Sequence, residues 1–203
     1  MGAFTAKVVE MRFWVALLLW PSLAAAESAA PQFSDEQKVA LERGEVLIKR
    51  VKPKDDKGVA AKAVAVVKAH PDQVWQAVND CAHFKDFMPR TPKSEVKEDG
   101  KVCRVEVEMP FPFSNLWSET HVTQTFLDGG GRQRSWTLKE GTYEHLRGSW
   151  TVLPWGPTGS QTLLMYLIDA NPNVPLPDAI LRSAQEGTLP DLFTAIRQRV
   201  IQP

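Results

Sequence analysis

Histidine and carboxylate side chains are the groups in this sequence that could carry acid–base or metal chemistry, and the four histidines are scattered. His121 has the most suggestive neighbour, because Glu119 stands two residues before it and both side chains share one face of a predicted strand. A histidine oriented by a carboxylate can act as a general base, and such a pair could also join a metal site. A solvated or cross-strand polar pair explains the same spacing, and we favour that interpretation. We therefore assign no catalytic residue and no metal ligand from the sequence.

Motifs of the common hydrolase, nucleotide-binding and metal sites are absent from the sequence. There is no G-x-S-x-G elbow, no glycine-rich phosphate loop, no H-E-x-x-H and no C-x-x-C. We expect no cofactor on these grounds. Lys+Arg 24 balance Asp+Glu 24, so the formal net charge is +0. This balance argues against a nucleic-acid partner, since phosphate binding requires a surplus of cationic side chains.

The aromatic residues are a stronger indication of a binding site, and most of them are Trp and Phe rather than Tyr. The chain holds seven Trp and nine Phe but only two Tyr. On a curved sheet such rings could line a cavity, although core packing is the simpler explanation for each ring taken alone. The residues that we predict to contact a ligand in such a cavity are Arg104, Glu106, Phe111, Phe113, Trp117, His121, Trp136 and Tyr166.

Two charged residues of this set, Arg104 and Glu106, alternate with apolar residues along one predicted strand and so share its polar face. If that face lines the cavity, Arg104 could bind an acidic ligand head group and Glu106 could balance its charge. If the face meets water, the two are ordinary surface charges. Both alternatives stay open at this point.

The segment Met109–Phe113, which reads MPFPF, also has two interpretations. An apolar loop at a cavity mouth could dip into a membrane or gate ligand entry. The alternative is a strand connector that packs under the rim of the sheet. We therefore expect an apolar small molecule or lipid as the partner, with transient membrane contact as a further prediction, and a monomeric protein.

Residues 11–26, MRFWVALLLWPSLAAA, have the pattern of a secretory signal peptide. Arg12 supplies the positive charge, an apolar run follows, and Ala24–Ala26 offers the small residues that a signal peptidase reads. The run is too short to span a bilayer as a mature anchor. The sequence predicts export, with cleavage near Ala26 and a periplasmic or secreted product, and an uncleaved tether is the alternative.

Export bears on the two cysteines of the chain, Cys81 and Cys103. An oxidising compartment permits a disulfide between them. Two buried free thiols are the alternative, because cysteine is a common core residue.

Hydrophobic patterning and turn signals predict the elements that position these residues. Ser34 and Gln37 form a capping box before a helix whose rough apolar stripe runs to Leu47. A strand at 59–68, two short helices, about six antiparallel strands and an amphipathic helix at 178–202 follow. The predicted divisions are 1–26 as signal peptide, 27–57 as helical segment and linker, and 58–203 as one α+β domain.

This order of elements resembles the START-like superfamily, also called the helix-grip or SRPBCC fold, which includes polyketide cyclases and coenzyme Q-binding START proteins. The resemblance covers roughly residues 58–201 and is that of an exported bacterial member. It rests on anchors such as Ala69–Trp75 after a strand, Trp136 before Gly141, and Gly148–Trp150. It implies a curved antiparallel sheet of about seven strands wrapped around the C-terminal helix, with a cavity for a lipid or similar apolar molecule.

The resemblance leaves the function open, because this fold hosts several activities. An exported soluble protein that binds an apolar small molecule, most of all a lipid, is our leading hypothesis, since no catalytic motif is visible. A cyclase- or aromatase-like enzyme is the alternative, with His121 or a buried Glu106 as its base. A third hypothesis is an interaction module whose interior is filled by side chains.

Overall fold

Eight strands and four helices make up the described part of the molecule, and the computed structural model describes residues 31–54, 58–177, 180 and 188–201. The strands are β1 (Leu47–Arg50), β2 (Val59–Val67), β3 (Lys93–Lys97), β4 (Val102–Val107), β5 (Leu116–Phe126), β6 (Arg132–Gly141), β7 (Tyr143–Trp155) and β8 (Gln161–Pro172). The helices are α1 (Asp35–Glu42), α2 (Pro71–Asn79), α3 (Phe84–Phe87) and α4 (Thr188–Ile201), with a 3-10 turn at Cys81–His83.

All eight strands form one antiparallel sheet in the order β1-β2-β8-β7-β6-β5-β4-β3. The chain therefore runs from one edge at β1 and β2 across to the other edge at β3, and then returns strand by strand to β8. This arrangement confirms the predicted α+β class and helix-grip architecture, with eight strands where the sequence indicated about seven.

The additional strand is β1, in a region where the sequence pattern was wrongly assigned to helix. The first helix ends at Glu42, because Gly44 takes a φ of +86° and stops the helical backbone. Leu47 then pairs with Val64 of β2. The start of α1 is as predicted, since Ser34 and Gln37 form the reciprocal hydrogen bonds of a capping box.

Strand β2 is buried on its concave face and, apart from Lys62 and the half-buried Val64, on its outer face too, which explains its alanine- and valine-rich sequence. Ala65 and Val67 belong to the main core on the concave side of the sheet. Val66 packs on the other side with Leu41 of α1 and Leu163 of β8. The N-terminal helix thus covers the outer face of the β2 and β8 strands.

The C-terminal helix α4 closes the concave side of the sheet. Its buried residues Leu189, Phe193 and Ile196 follow the helical spacing that predicted an apolar face. Phe193 is 0% exposed, and its ring meets the edge of Trp150 on β7 at a centroid distance of 5.8 Å. The predicted start of this helix at residues 178–179 and 181–187, like the predicted signal peptide, lies outside the described residues.

A disulfide joins Cys81 of the 3-10 turn to Cys103 of β4. This is the first of the two alternatives that the cysteines left open. It joins the segment between α2 and α3 to β4, the strand next to the β3 edge of the sheet. Within the described ranges no helix has both the length and the apolar character needed to cross a membrane.

Candidate ligand cavity

A cavity of about 300 Å³ lies between the concave face of the sheet and α4. Strands β4 to β8 supply most of its wall, and Leu189 and Leu192 of α4 close it from the other side. Phe84 and Met88, in and just after α3, complete one flank. A volume near the lower end of the range seen for small-molecule sites suits one compact or single-chain ligand.

The aromatic part of the wall is formed by a cluster of three rings that are tilted against one another. Tyr166 lies between the two tryptophans, with its ring centroid 4.3 Å from that of Trp150 and 5.9 Å from that of Trp136. Gly148 makes room for Trp136, because a Cβ at this position would collide with the indole ring. Two residues predicted to line a cavity, Trp136 and Tyr166, therefore do line it.

Four other residues of the predicted set, Arg104, Glu106, Trp117 and His121, lie on the opposite face of the sheet. Their neighbours in sequence show this, since the apolar residues of β4 and the small polar residues of β5 line the cavity. The expectation that these four residues contact a cavity ligand is corrected by their position. The physical reason is that Val105 and Val107 of β4 face the cavity, so the charged residues that alternate with them face the solvent side of the sheet.

The outer-face charges form an ion network across the strands. Lys97 Nζ and Arg104 donate to Glu119 Oε1 over 2.6 and 2.9 Å. The Arg104 guanidinium also lies 4.3 Å from the ring centroid of Trp117. The hydrogen bond from Lys97, followed by that from Arg104, lowers the pKa of Glu119. Glu119 is therefore engaged by cations of β3 and β4, and the contacts of this network do not include His121.

The two phenylalanines of the predicted set lie outside the cavity. Phe111 is 97% exposed in the loop between β4 and β5, and Phe113 is half-buried in the same loop. Asn115 fastens the loop, because its Oδ1 accepts a hydrogen bond from the Met109 amide over 3.2 Å. The loop follows Val107, which lines the cavity, and Phe111 projects from this loop to solvent.

Sequence reasoning missed Arg134, a charged residue inside the cavity. Its side chain lines the cavity and the residue is only 4% exposed. Its Nε has no hydrogen-bond acceptor, and among the described residues its guanidinium has no ion-pair partner. The rings of Phe84 and Trp136 lie 5.5 and 5.6 Å from the guanidinium carbon. The signal that could have found it is its spacing, since it shares a strand face with Trp136.

Burial shifts the acid–base equilibria of the polar groups in the cavity without changing their charge at neutral pH. It lowers the pKa of Arg134 to about 10 and raises the pKa of Tyr143 to about 12. It also raises the pKa of Tyr166. These are the only two tyrosines of the chain. The cavity therefore presents one cation and two neutral phenol donors within apolar walls.

A second cavity, the outer groove, has a volume of about 480 Å³ and lies on the outer face of the sheet beside α1 and the chain before it. Phe33, Leu47 and Met165 supply apolar contacts, and Gln37, Lys49 and Lys62 stand around them. The groups of three or more His, Cys, Asp or Glu side chains that could hold a metal ion are not found in the described ranges.

Comparison with known proteins assigns the family. A family model described as polyketide cyclase / dehydrase and lipid transport matches residues 67–197. The chain belongs to this family. The matched residues take in α2, strands β3 to β8 and most of α4, so they contain nearly all of the cavity wall. The START-like resemblance drawn from the sequence is thereby confirmed.

Solved structures of START proteins share the fold of this family member. A STAR-related lipid transfer protein fragment from Xanthomonas axonopodis is 17% identical with a TM-score of 0.67, covering 77% of this chain and 94% of that one. Human StAR-related lipid transfer protein 5 is 14% identical with a TM-score of 0.64, covering 78% and 83%. A START superfamily protein from Mycobacterium smegmatis is 21% identical with a TM-score of 0.57, covering 70% and 97%. At these identities the likeness concerns the fold alone, and no curated protein matches the chain.

Proposed function

We propose that this protein is exported and binds one apolar small molecule, above all a lipid, in the cavity between the sheet and α4. The observation that carries the proposal is the open, aromatic- and aliphatic-lined space of about 300 Å³. Membership of a family of cyclase and lipid transport proteins supports it. So does the shared fold with two proteins named as lipid transfer proteins.

Burial of hydrocarbon supplies enough free energy for such binding. Each buried methylene contributes about 0.8 kcal/mol, so a chain of a dozen carbons contributes about 10 kcal/mol before the costs of association. Those costs are at least about 4 kcal/mol. The remainder corresponds to a dissociation constant of about 10–100 μM, and a correctly placed polar contact tightens it further.

Catalysis of the cyclase or aromatase type would require a base in the cavity. The described lining residues include no histidine, aspartate or glutamate. Tyr143 and Tyr166 keep their protons at neutral pH, since burial raises both pKa values. His121, the base considered from the sequence, is exposed on the outer face. These observations favour binding over chemistry.

Export is part of the proposal. The signal-peptide pattern of residues 11–26 motivates it, and the Cys81–Cys103 disulfide supports it because stable disulfides are rare in reducing compartments. The intact mass of the protein recovered from the periplasm or medium should match a chain that begins at Glu27. A mass that retains residues 11–26 would instead support an uncleaved tether.

A lipid ligand implies contact with a bilayer, and we place this contact at Phe111. Its ring is almost fully exposed, in the loop that follows Val107 of the cavity wall. Phe126 is a matched control, because its ring is also exposed, by 82%. It lies at the opposite end of β5 from the Phe111 loop, about 33 Å from Leu116 at roughly 3.3 Å per residue. In vesicle flotation, Phe111→Ser should lose binding while Phe126→Ser retains it. Equal behaviour of the two variants would remove Phe111 as the contact.

Native mass spectrometry of the exported protein tests the ligand proposal, and neighbouring residues on β8 supply matched variants. Ile168 lines the inner cavity, whereas Leu167 lines the outer groove. The protein should carry one apolar molecule, or take one up from a lipid extract. Ile168→Trp should lose this ligand because the indole fills the cavity, and Leu167→Trp should keep it. Absence of any ligand from the wild-type protein, or its loss only in Leu167→Trp, would contradict the proposal.

A further inference from the structure

We infer that the cavity selects a single-chain amphiphile with one acidic head group, and that Arg134 is the residue that binds this head group. The inference rests on the proposed function, because it names the class of ligand for the same cavity. It is carried by the position and lack of partners of one side chain.

Arg134 differs from the other arginines whose contacts the structure gives. Five of these pair with carboxylates: Arg43 with Glu45 at 2.8 Å, Arg104 with Glu119 at 2.9 Å, Arg132 with Asp72 at 2.6 Å, Arg147 with Asp169 at 2.9 Å, and Arg199 with Asp80 at 3.7 Å. Arg197 donates to the Val66 carbonyl oxygen over 2.9 Å. Arg134 is more deeply buried than any of these arginines, yet the described residues offer it neither an ion pair nor an acceptor for Nε.

A buried cation without a partner destabilises a folded protein, because the charge loses its hydration and receives nothing equivalent. The rings of Phe84 and Trp136 compensate only in part, since both lie more than 5 Å from the guanidinium carbon. An anion in the cavity would complete the set of contacts. Guanidinium donates two parallel hydrogen bonds to a carboxylate or a phosphate, so the ligand chemistry is an acidic group with adjacent oxygens.

The position of Arg134 gives the ligand a direction. Strand register places Arg134 beside Trp150, and Trp150 beside Tyr166, in one row across the sheet. Further along β8 the cavity wall continues with Ile168 and Ala170. The head group therefore lies in the row of Arg134, and the apolar tail runs about 13 Å along the strand towards Ala170 at roughly 3.3 Å per residue.

Tyr166 assists the anion because it is a neutral donor in the same row as Arg134, on the other side of Trp150. Burial keeps its phenol protonated by raising its pKa, so the hydroxyl can donate to an anionic oxygen. Arg134 is the one cation among the described lining residues, so the cavity can neutralise a single negative charge on the ligand. A cavity of about 300 Å³ also matches one chain rather than the two chains of a membrane phospholipid.

Calorimetric titration of the delipidated protein with dodecanoic acid, dodecyl phosphate and dodecanol tests the inference. We expect the wild-type protein to bind at least one of the two anions at least tenfold more tightly than the alcohol. Preference for the acid or for the phosphate would identify which anion is the natural head group. In Arg134→Met the anion affinity should fall at least tenfold, while dodecanol binding changes less than threefold. Arg104→Met, on the outer face, should bind all three ligands as the wild type does.

The failures of the inference and of the proposed function are distinguishable in the same titrations. Equal affinity of wild-type protein for the alcohol and both anions would overturn the role of Arg134 and leave an apolar binding protein. Binding of none of the three would overturn both. Thermal denaturation adds a readout independent of ligand: Arg134→Met should melt no lower than wild type, because it removes an unpaired buried charge. A clearly lower melting temperature would show that Arg134 serves the fold instead.

Discussion

Reducing the Cys81–Cys103 disulfide should lower the free energy of unfolding by about 3.4 kcal/mol at 25 °C. The two cysteines are separated by 22 residues in sequence, and the value is the loop-closure entropy that a cross-link of this length removes from the unfolded chain. Both side chains are buried, so reduction leaves their packing nearly unchanged and isolates the effect of the cross-link. For a chain of this size the melting temperature should fall by about 10 °C.

Equilibrium urea unfolding with and without reductant measures this difference. The double variant Cys81→Ala/Cys103→Ala is the matched control, because it should show the same stability in both conditions. The wild-type midpoint should fall by about 1 M or more on reduction, since the urea dependence is about 1–3 kcal/mol per molar. A change below about 0.5 kcal/mol, or two titratable thiols in the denatured, unreduced protein, would refute the reasoning.

Three further predictions concern packing and pH. Phe193→Ala should destabilise the fold by about 3–5 kcal/mol in urea unfolding, because it removes a fully buried ring of α4; a cost below about 1 kcal/mol would contradict the role of α4 in the core. Gly148→Ala should lower stability by about 1–3 kcal/mol and weaken ligand binding in titrations, since its methyl group collides both with the Trp136 ring of the cavity wall and with the Leu167 carbonyl oxygen; unchanged affinity would contradict this. Burial by itself would raise the pKa of Asp169, but hydrogen bonds, led by that from Arg147, outweigh it and hold the pKa below that of a free aspartate. The stabilisation by Asp169 is therefore present above about pH 4 and lost as the pH falls below it. The free energy of unfolding of Asp169→Asn should consequently depend less steeply on pH in this acid range than that of wild type. An equal pH dependence in the two proteins would exclude this contribution.

Local signals explain why most elements could be predicted from the sequence. The capping box at Ser34, for example, depends on neighbouring residues only. Strand β1 was missed because its four residues carry no alternation of their own. Its identity comes from pairing with β2, which is a contact between residues distant in sequence.

The facing of β4 and β5 shows what alternation alone leaves open. The pattern separates Arg104 and Glu106 from Val105 and Val107, but it does not say which set meets the cavity. The structure turns the valines inward, because an apolar interior offers charged side chains no replacement for water. Arg134 is the exception to this rule, and a residue that breaks it inside a cavity is a functional candidate for that reason.

Photo-crosslinking with a diazirine-labelled fatty acid tests the central claim most directly, because mapped peptides report where the ligand lies. The account predicts crosslinks to the inner cavity, at residues such as Trp136, Leu189 and Leu192. Unlabelled fatty acid should compete these crosslinks away. Crosslinks confined to the outer groove, at Phe33, Leu47 or Met165, would contradict the account.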